Sequence, residues 1–219
     1  MVLNELTMNA IFMIAAGCVL AYLLGSVSTS VWIGRIFYGI DVREKGSGNA
    51  GATNTIRVLG LKAGIVVLLI DALKAWVAVQ LASYFAAGNL TENQLITYKI
   101  FLGAIAVVGH VFPLYTGFRG GKGVASLVGM VIALYPYAFL SILGWFAIVF
   151  VISRYVSLAS VTSSVLFPVL VIFVFREQSV SLIVLSILIA IFVPLTHKKN
   201  IKRLLKGEEL KMTFSKKAK

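Results

Sequence analysis

The sequence predicts an all-α, polytopic integral membrane protein of seven transmembrane helices, with the N-terminus outside and the C-terminus cytoplasmic. Three observations carry that prediction. Of 219 residues, 59% are hydrophobic and 13% charged, against roughly 45 to 50% and 25% in soluble domains. The apolar residues fall in nearly charge-free blocks of about 15 to 25, enough to cross roughly 30 Å of hydrocarbon at about 1.5 Å per helical residue. The net charge is +12, and the basic residues crowd into the polar segments between and after those blocks. That distribution suits anionic lipid and anionic substrate better than nucleic acid.

The first apolar block, at about 8 to 33, has only Glu5 as a charge before it and lacks the basic flank of a cleaved signal, so it reads as a retained helix. Cys18 is the single cysteine and lies inside this block, which excludes an intrachain disulfide and a thiolate metal site. Further spans fall at about 63 to 86, 97 to 115, 158 to 175 and 179 to 195. The run 123–153 is too long for one span and short for two, roughly 46 Å as a helix, and Pro136 interrupts its hydrogen-bond ladder. A pair of short or tilted helices is expected there.

Orientation follows from Lys and Arg. Arg35, Arg43, Lys45, Arg57 and Lys62 follow the first span, Arg119 and Lys122 follow the third, and nine basic residues lie between Lys198 and Lys219. These segments are expected in the cytoplasm by the positive-inside rule. The linkers 87–96 and 176–178 hold only Arg176 and are expected outside. The chain 1–219 reads as one membrane domain, with 200–219 a cytoplasmic basic tail.

The segment 46–54, GSGNAGATN, combines Gly46, Gly48 and Gly51 with Ser47, Asn49, Thr53 and Asn54, and Arg57 follows three residues later. Small residues let an anion approach backbone N–H groups and short hydroxyls, so the segment reads as a phosphate cradle. A second segment, GHVFPLYTGFRGGKGVAS at 109–126, places Gly120, Gly121, Lys122 and Gly123 at the start of a helix, whose free N–H groups favour anions. It lacks the GxxxxGK[ST] spacing of a nucleotide loop. His110 has three readings, as general base, hydrogen-bonded structural group or interfacial residue. Asp71 and Lys74 share a helix face within the membrane, either as a structural pair or as part of the site. In the string HKKNIKRLLKGEEL, Lys198, Lys199, Lys202 and Lys206 suit a basic helix on the membrane surface, whereas Asn200 and Glu208 fit that role poorly. Asp41, Asp71, Glu208 and Glu209 are too scattered to suggest a magnesium site. No metal or other cofactor is expected.

With these residues in place, the chain resembles the bacterial acyl-phosphate-dependent glycerol-3-phosphate acyltransferases, small membrane enzymes that begin phosphatidic acid synthesis. The resemblance spans nearly the whole chain and rests on GSGNAGATN with Arg57, DALK at 71–74, GHVFP with FRGGKGVAS, SRYVSLAS at 153–160 and HKKNIKRLLKGEE. Ser28, Ala75 and Ser126 depart from the proline, glycine and threonine common in that family. The resemblance implies seven helices in the bacterial inner membrane and a cytoplasmic site that needs no cofactor. Its substrates are glycerol 3-phosphate and a fatty acyl phosphate, and the enzyme acts as a monomer among membrane lipids. It assigns chemistry to Ser47, Arg57, Lys122, Asn200 and Glu208, and substrate contacts to Gly120, Gly121, Gly123, Arg154, Ser157 and His197.

The HxxxxD dyad of the other major glycerol-phosphate acyltransferase class is absent: five residues after His110 stands Tyr115, and five after His197 stands Lys202. The expected base is the phosphate of glycerol 3-phosphate itself, with His110 or Glu208 as alternatives. An organic-anion carrier and an assembly protein are the rival classes of function.

Overall fold

The computed structural model describes residues 2–86 and 90–213, and the side chains of all of these but 2–7 and 9. Part of the 87–96 linker and the last residues of the basic tail lie outside the described residues. The described residues form ten α-helices in order: α1 Val2–Gly25, α2 Thr29–Tyr38, α3 Ala52–Leu59, α4 Leu61–Ala86, α5 Glu92–Val111, α6 Val124–Leu134, α7 Pro136–Ser153, α8 Val156–Val169, α9 Val180–Thr196 and α10 Lys198–Leu205. Among the described residues there is no strand.

Among the described residues, four helical stretches are long and apolar enough to cross a membrane: Leu61–Ala86, Glu92–Thr116, Pro136–Ser153 and Val156–Val174. Two bent pairs bring the number to six if each is one span, α1 with α2 at 43° and α9 with α10 at 63°. α6 is apolar but short. The first span, expected as one helix over about 8 to 33, is therefore broken. The chain leaves the helix at Ser26–Ser28, and the Val27 carbonyl accepts the Lys74 ammonium at 2.7 Å. The run 123–153 divides as Pro136 requires: α6 stops at Leu134, and the proline takes the first turn of α7, where its missing N–H costs nothing.

α4 is the hub, packed against α1, α3, α5 and α6. Its contact with α1 and α5 is built from small residues, Ala21, Ala75, Ala78, Ala82 and Ala106, all fully buried with Leu102. Small side chains let helix backbones approach where lipid removes the hydrophobic drive for association. A second core of larger residues, including Met130, Phe167, Val171, Ile189 and Val193, joins α6 to α8 and α9.

The two ends of the bundle differ. At one end a Thr97–Ser181 hydroxyl pair at 2.8 Å links the starts of α5 and α9. At the other end the segments 41–57, 114–123, 154–157 and 197–212 meet. The glycine-rich segments, SRYVSLAS and the basic tail string all end there, whereas Asp71 and Lys74 lie within the bundle on α4.

Candidate active site

The segment 46–54 is held in shape by one side chain. Asn54, on α3, is buried; its amide N–H₂ donates to the carbonyls of Val42 and Lys45 at 2.7 and 3.1 Å. Its Oδ1 accepts from the Ser47 N–H at 2.7 Å and the Ser47 hydroxyl at 3.1 Å. Gly46 has φ +62°, and a Cβ there would lie 2.3 Å from Asn54 Oδ1, so the turn requires glycine. Asn54 is thus consumed in building the loop, and the half-buried Ser47 is what the loop presents, with Gly48, Asn49 and Thr53 around it.

Arg43 ties this loop to the second motif. Its guanidinium donates to Asp41 at 2.7 Å and to the carbonyls of Thr116 and Arg119 at 2.8 and 3.1 Å. The Arg43 hydrogen bonds and charge hold the Asp41 carboxyl well below the usual range. Sequence reasoning counted Arg43 only as a marker of orientation; its signal was the nearby Asp41.

In the second motif the backbone N–H groups of Gly120 and Gly121, residues expected to contact substrate, are already bonded within the chain. The Gly120 N–H donates to the Val111 carbonyl and the Gly121 N–H to the His110 carbonyl, each at 3.1 Å. This folds the loop back on the end of α5. A Cβ on Gly120 would lie 2.0 Å from the His110 carbonyl oxygen, so only glycine permits the approach. Gly123 then starts α6, which no side chain caps.

Lys122 projects from this loop, and its ammonium donates to the Asn200 amide oxygen on α10. Burial pushes its pKa down to about 8; Glu209 opposes this, while Arg203 and Arg57 add to it. Asn200 is buried and passes the contact on, its amide nitrogen donating to Glu209 Oε1 at 2.6 Å. The same carboxylate accepts from the Ser157 hydroxyl at 2.8 Å and from Arg203 Nε at 2.7 Å. Burial raises the Glu209 pKa, but the hydrogen bonds from Asn200, Arg203 and Ser157 outweigh it and hold the carboxyl below its ordinary range.

The third motif therefore needs correction. Glu209, 7% exposed, is the acid in the network. Glu208, directly after the turn at Gly207, whose φ is +72°, is exposed.

Arg57 reaches across from α3 and donates to the Leu210 carbonyl at 2.9 Å. Its Nε is buried without a partner among the described residues, and burial lowers its pKa. The tail is fixed again where the Met212 N–H donates to the Arg154 carbonyl at 2.8 Å. Arg154 itself is exposed, at φ +62°, and enters the arrangement through its backbone. His197 is buried, its Nδ1 2.8 Å from the Val193 carbonyl of its own helix.

Behind the loops, inside the bundle, Asp71 accepts from the Thr29 hydroxyl and the Lys74 ammonium, each at 2.9 Å. His110 Nδ1 lies 3.1 Å from the Lys74 ammonium and 3.6 Å from Asp71 Oδ1. The structure thus brings Asp71, Lys74 and His110 into one buried group adjoining the glycine loop.

A helical membrane bundle that gathers Ser47, Arg57, Lys122 and Asn200 from three separate segments at one end is suited to holding phosphorylated, membrane-borne substrates. The chain belongs to the glycerol-3-phosphate acyltransferase family, whose model matches residues 15–207. It is 43% identical over 196 residues to the glycerol-3-phosphate acyltransferase of Fusobacterium nucleatum, covering 90% of this chain and 96% of that one. It is 44% identical over 195 residues to that of a Listeria monocytogenes strain, covering 89% and 94%. Among solved structures it is similar to PlsY (YgiH), an integral membrane glycerol 3-phosphate acyltransferase, in its glycerol 3-phosphate form, with a TM-score of 0.80, 34% identity and coverage of 93% and 96%. The lysophosphatidic acid form matches with a TM-score of 0.76 and 33% identity over 94% and 96%. Like these relatives, the chain is an integral membrane protein of lipid biosynthesis.

Proposed function

We propose that the protein transfers a fatty acyl group from an acyl phosphate to the sn-1 hydroxyl of glycerol 3-phosphate, giving 1-acylglycerol 3-phosphate and inorganic phosphate. The observation that carries this reading is the convergence of Lys122, Asn200, Arg57 and Ser47 in a chain of this family. An acyl phosphate is already an activated mixed anhydride. Catalysis then needs chiefly two phosphates held in attack geometry with their charge neutralised.

In the reaction, the hydroxyl oxygen bonds to the acyl carbonyl carbon and the bond from that carbon to the phosphate oxygen breaks. The hydroxyl proton passes to the phosphate of glycerol 3-phosphate, and the leaving group departs as inorganic phosphate. Lys122, Arg57, Ser47 and Asn200 serve the reacting groups. Gly46, Gly48, Asn49 and Thr53 line the acceptor side, and Gly123 and the start of α6 the phosphate side. Asn54, Gly120 and Gly121 shape the two loops, while Ser157, His197 and the Arg154 backbone support the third motif. Glu208 is exposed and makes none of the hydrogen bonds that join Asn200, Ser157 and Arg203 to Glu209, so this reading does not use it as the base.

The same reading places the protein in the bacterial inner membrane as a monomer of seven membrane helices, α6 and α7 each counting as one. The N-terminus lies outside and the site and basic tail face the cytoplasm, where glycerol 3-phosphate is available. The acyl chain enters from the bilayer between helices. The test is release of inorganic phosphate from palmitoyl phosphate by purified protein, with acyl-CoA as the comparison donor. Release that depends on glycerol 3-phosphate, with no reaction from acyl-CoA, supports the reading; release without glycerol 3-phosphate, or equal use of acyl-CoA, refutes it.

A further inference from the structure

The Lys74 ammonium carries three N–H bonds and meets three acceptors: the Val27 carbonyl at 2.7 Å, Asp71 Oδ1 at 2.9 Å and His110 Nδ1 at 3.1 Å. Lys74, Asp71 and His110 are all buried. A ring nitrogen that accepts from an ammonium keeps its lone pair, so the imidazole proton must sit on Nε2. Asp71 does not compete for Nδ1: its Oδ1 is 3.6 Å away and already accepts from Thr29 and Lys74. The break between α1 and α2 supports this arrangement, since it frees the Val27 carbonyl that fixes the ammonium.

Nε2 faces the other way, toward the second motif. A Cβ on Gly121 would lie 2.2 Å from it, and 2.8 Å from the Ala50 carbonyl of the first motif. Nε2 therefore sits where the two glycine loops meet. The Gly121 N–H is bonded to the carbonyl of the same histidine, which fixes loop and ring together.

We propose that Lys74, held by Asp71 and Val27, locks His110 as the neutral Nε2–H tautomer, so that His110 is a positioning residue presenting one proton to the glycine-lysine loop and is not the general base. This rests on the acyltransferase reading for its kinetic arm alone.

The chain has two histidines, so ¹⁵N-histidine spectra of the full-length protein in lipid nanodiscs are simple, and loss of one set of signals in His110→Gln assigns His110. At neutral pH the wild type is expected to show a bare Nδ1 and a protonated Nε2. Lys74→Met is expected to release that preference, and Lys74→Arg, which keeps a donor, to preserve it. An imidazolium, an Nδ1–H tautomer, or a tautomer indifferent to Lys74→Met overturns the proposal; if the Lys74 variants do not fold, the wild-type spectrum decides, with loss of the other set of signals in His197→Gln as a second route to the assignment. In the kinetic arm, His110→Gln places an amide N–H near the position of Nε2 and is expected to keep kcat within about 10-fold. A loss of roughly 10² or more at unchanged KM, the signature of a missing general base, overturns it. Absence of acyltransferase activity in the wild type would refute the functional reading and leave the tautomer result standing.

Discussion

The Lys122 ammonium donates to the Asn200 amide oxygen across 78 residues of sequence. Through Asn200 the charge is joined to Glu209, and through Glu209 to Ser157 and Arg203. The cation proposed to bind phosphate is thereby aimed by a fixed acid that does not itself quench it by direct contact.

For Lys122→Ala, loss of one charge-assisted hydrogen bond to phosphate is worth about 1.5 to 3 kcal/mol, or roughly 10- to 150-fold in affinity. The expected outcome is a KM for glycerol 3-phosphate raised by that factor, measured by phosphate release; a wild-type KM refutes the assignment.

The pH dependence has a definite sign. Lys122 holds its proton below about pH 8 and sheds it above. The second ionisation of a phosphate ester, with a pKa of about 6, is complete before then. The KM for glycerol 3-phosphate is therefore expected to rise with pH above about 8. Lys122→Arg, cationic throughout, is expected to remove that rise even where it raises KM overall.

Glu209→Gln and Glu208→Gln separate the two adjacent acids. The first removes the charge facing Arg203 and weakens a buried network, at a cost of about 1 to 3 kcal/mol, and is expected to lower thermal stability and activity together. The second changes an exposed carboxylate and is expected to be silent. Equal effects in the two variants contradict the network.

Asn54→Ala leaves the Val42 and Lys45 carbonyls and the Ser47 N–H without their partner. Such losses cost about 1 to 3 kcal/mol per buried group. The variant is expected to lose activity through the displaced Ser47, with a lower unfolding temperature in detergent. Unchanged stability would show that the loop holds its shape without the asparagine.

Orientation is tested with a Cys18→Ala background carrying one new cysteine. Asn93→Cys, beside the exposed start of α5, is expected to react with an impermeant thiol reagent added to intact cells. Lys206→Cys is expected to react only after lysis. The reverse pattern inverts the topology.

The gross architecture was legible because its causes are local. Charge-free blocks give the helices, Lys and Arg mark one end, and Pro136 alone divides the run 123–153. The meeting of the three motifs was legible only through the resemblance, since no periodicity relates Ser47 to Lys122 or Asn200. The choice between Glu208 and Glu209 was not legible: past Gly207 the chain is not helical, and identical neighbours differ only in which side of a tertiary turn they occupy. The break at Ser26–Ser28 was hidden for a similar reason. Its free carbonyl is stabilised by Lys74, 47 residues away, and the glycine N–H groups expected to bind an anion were claimed by the end of α5.

The docking of Leu210 on Arg57 and of Met212 on Arg154 makes the site depend on chain order. Lys122 precedes α6, but its partner Asn200 lies on α10 and reaches Glu209 beyond it. The network around Lys122 therefore closes only after α1 to α9 have all been made, and a chain cut before α10 is expected to keep its membrane helices without it.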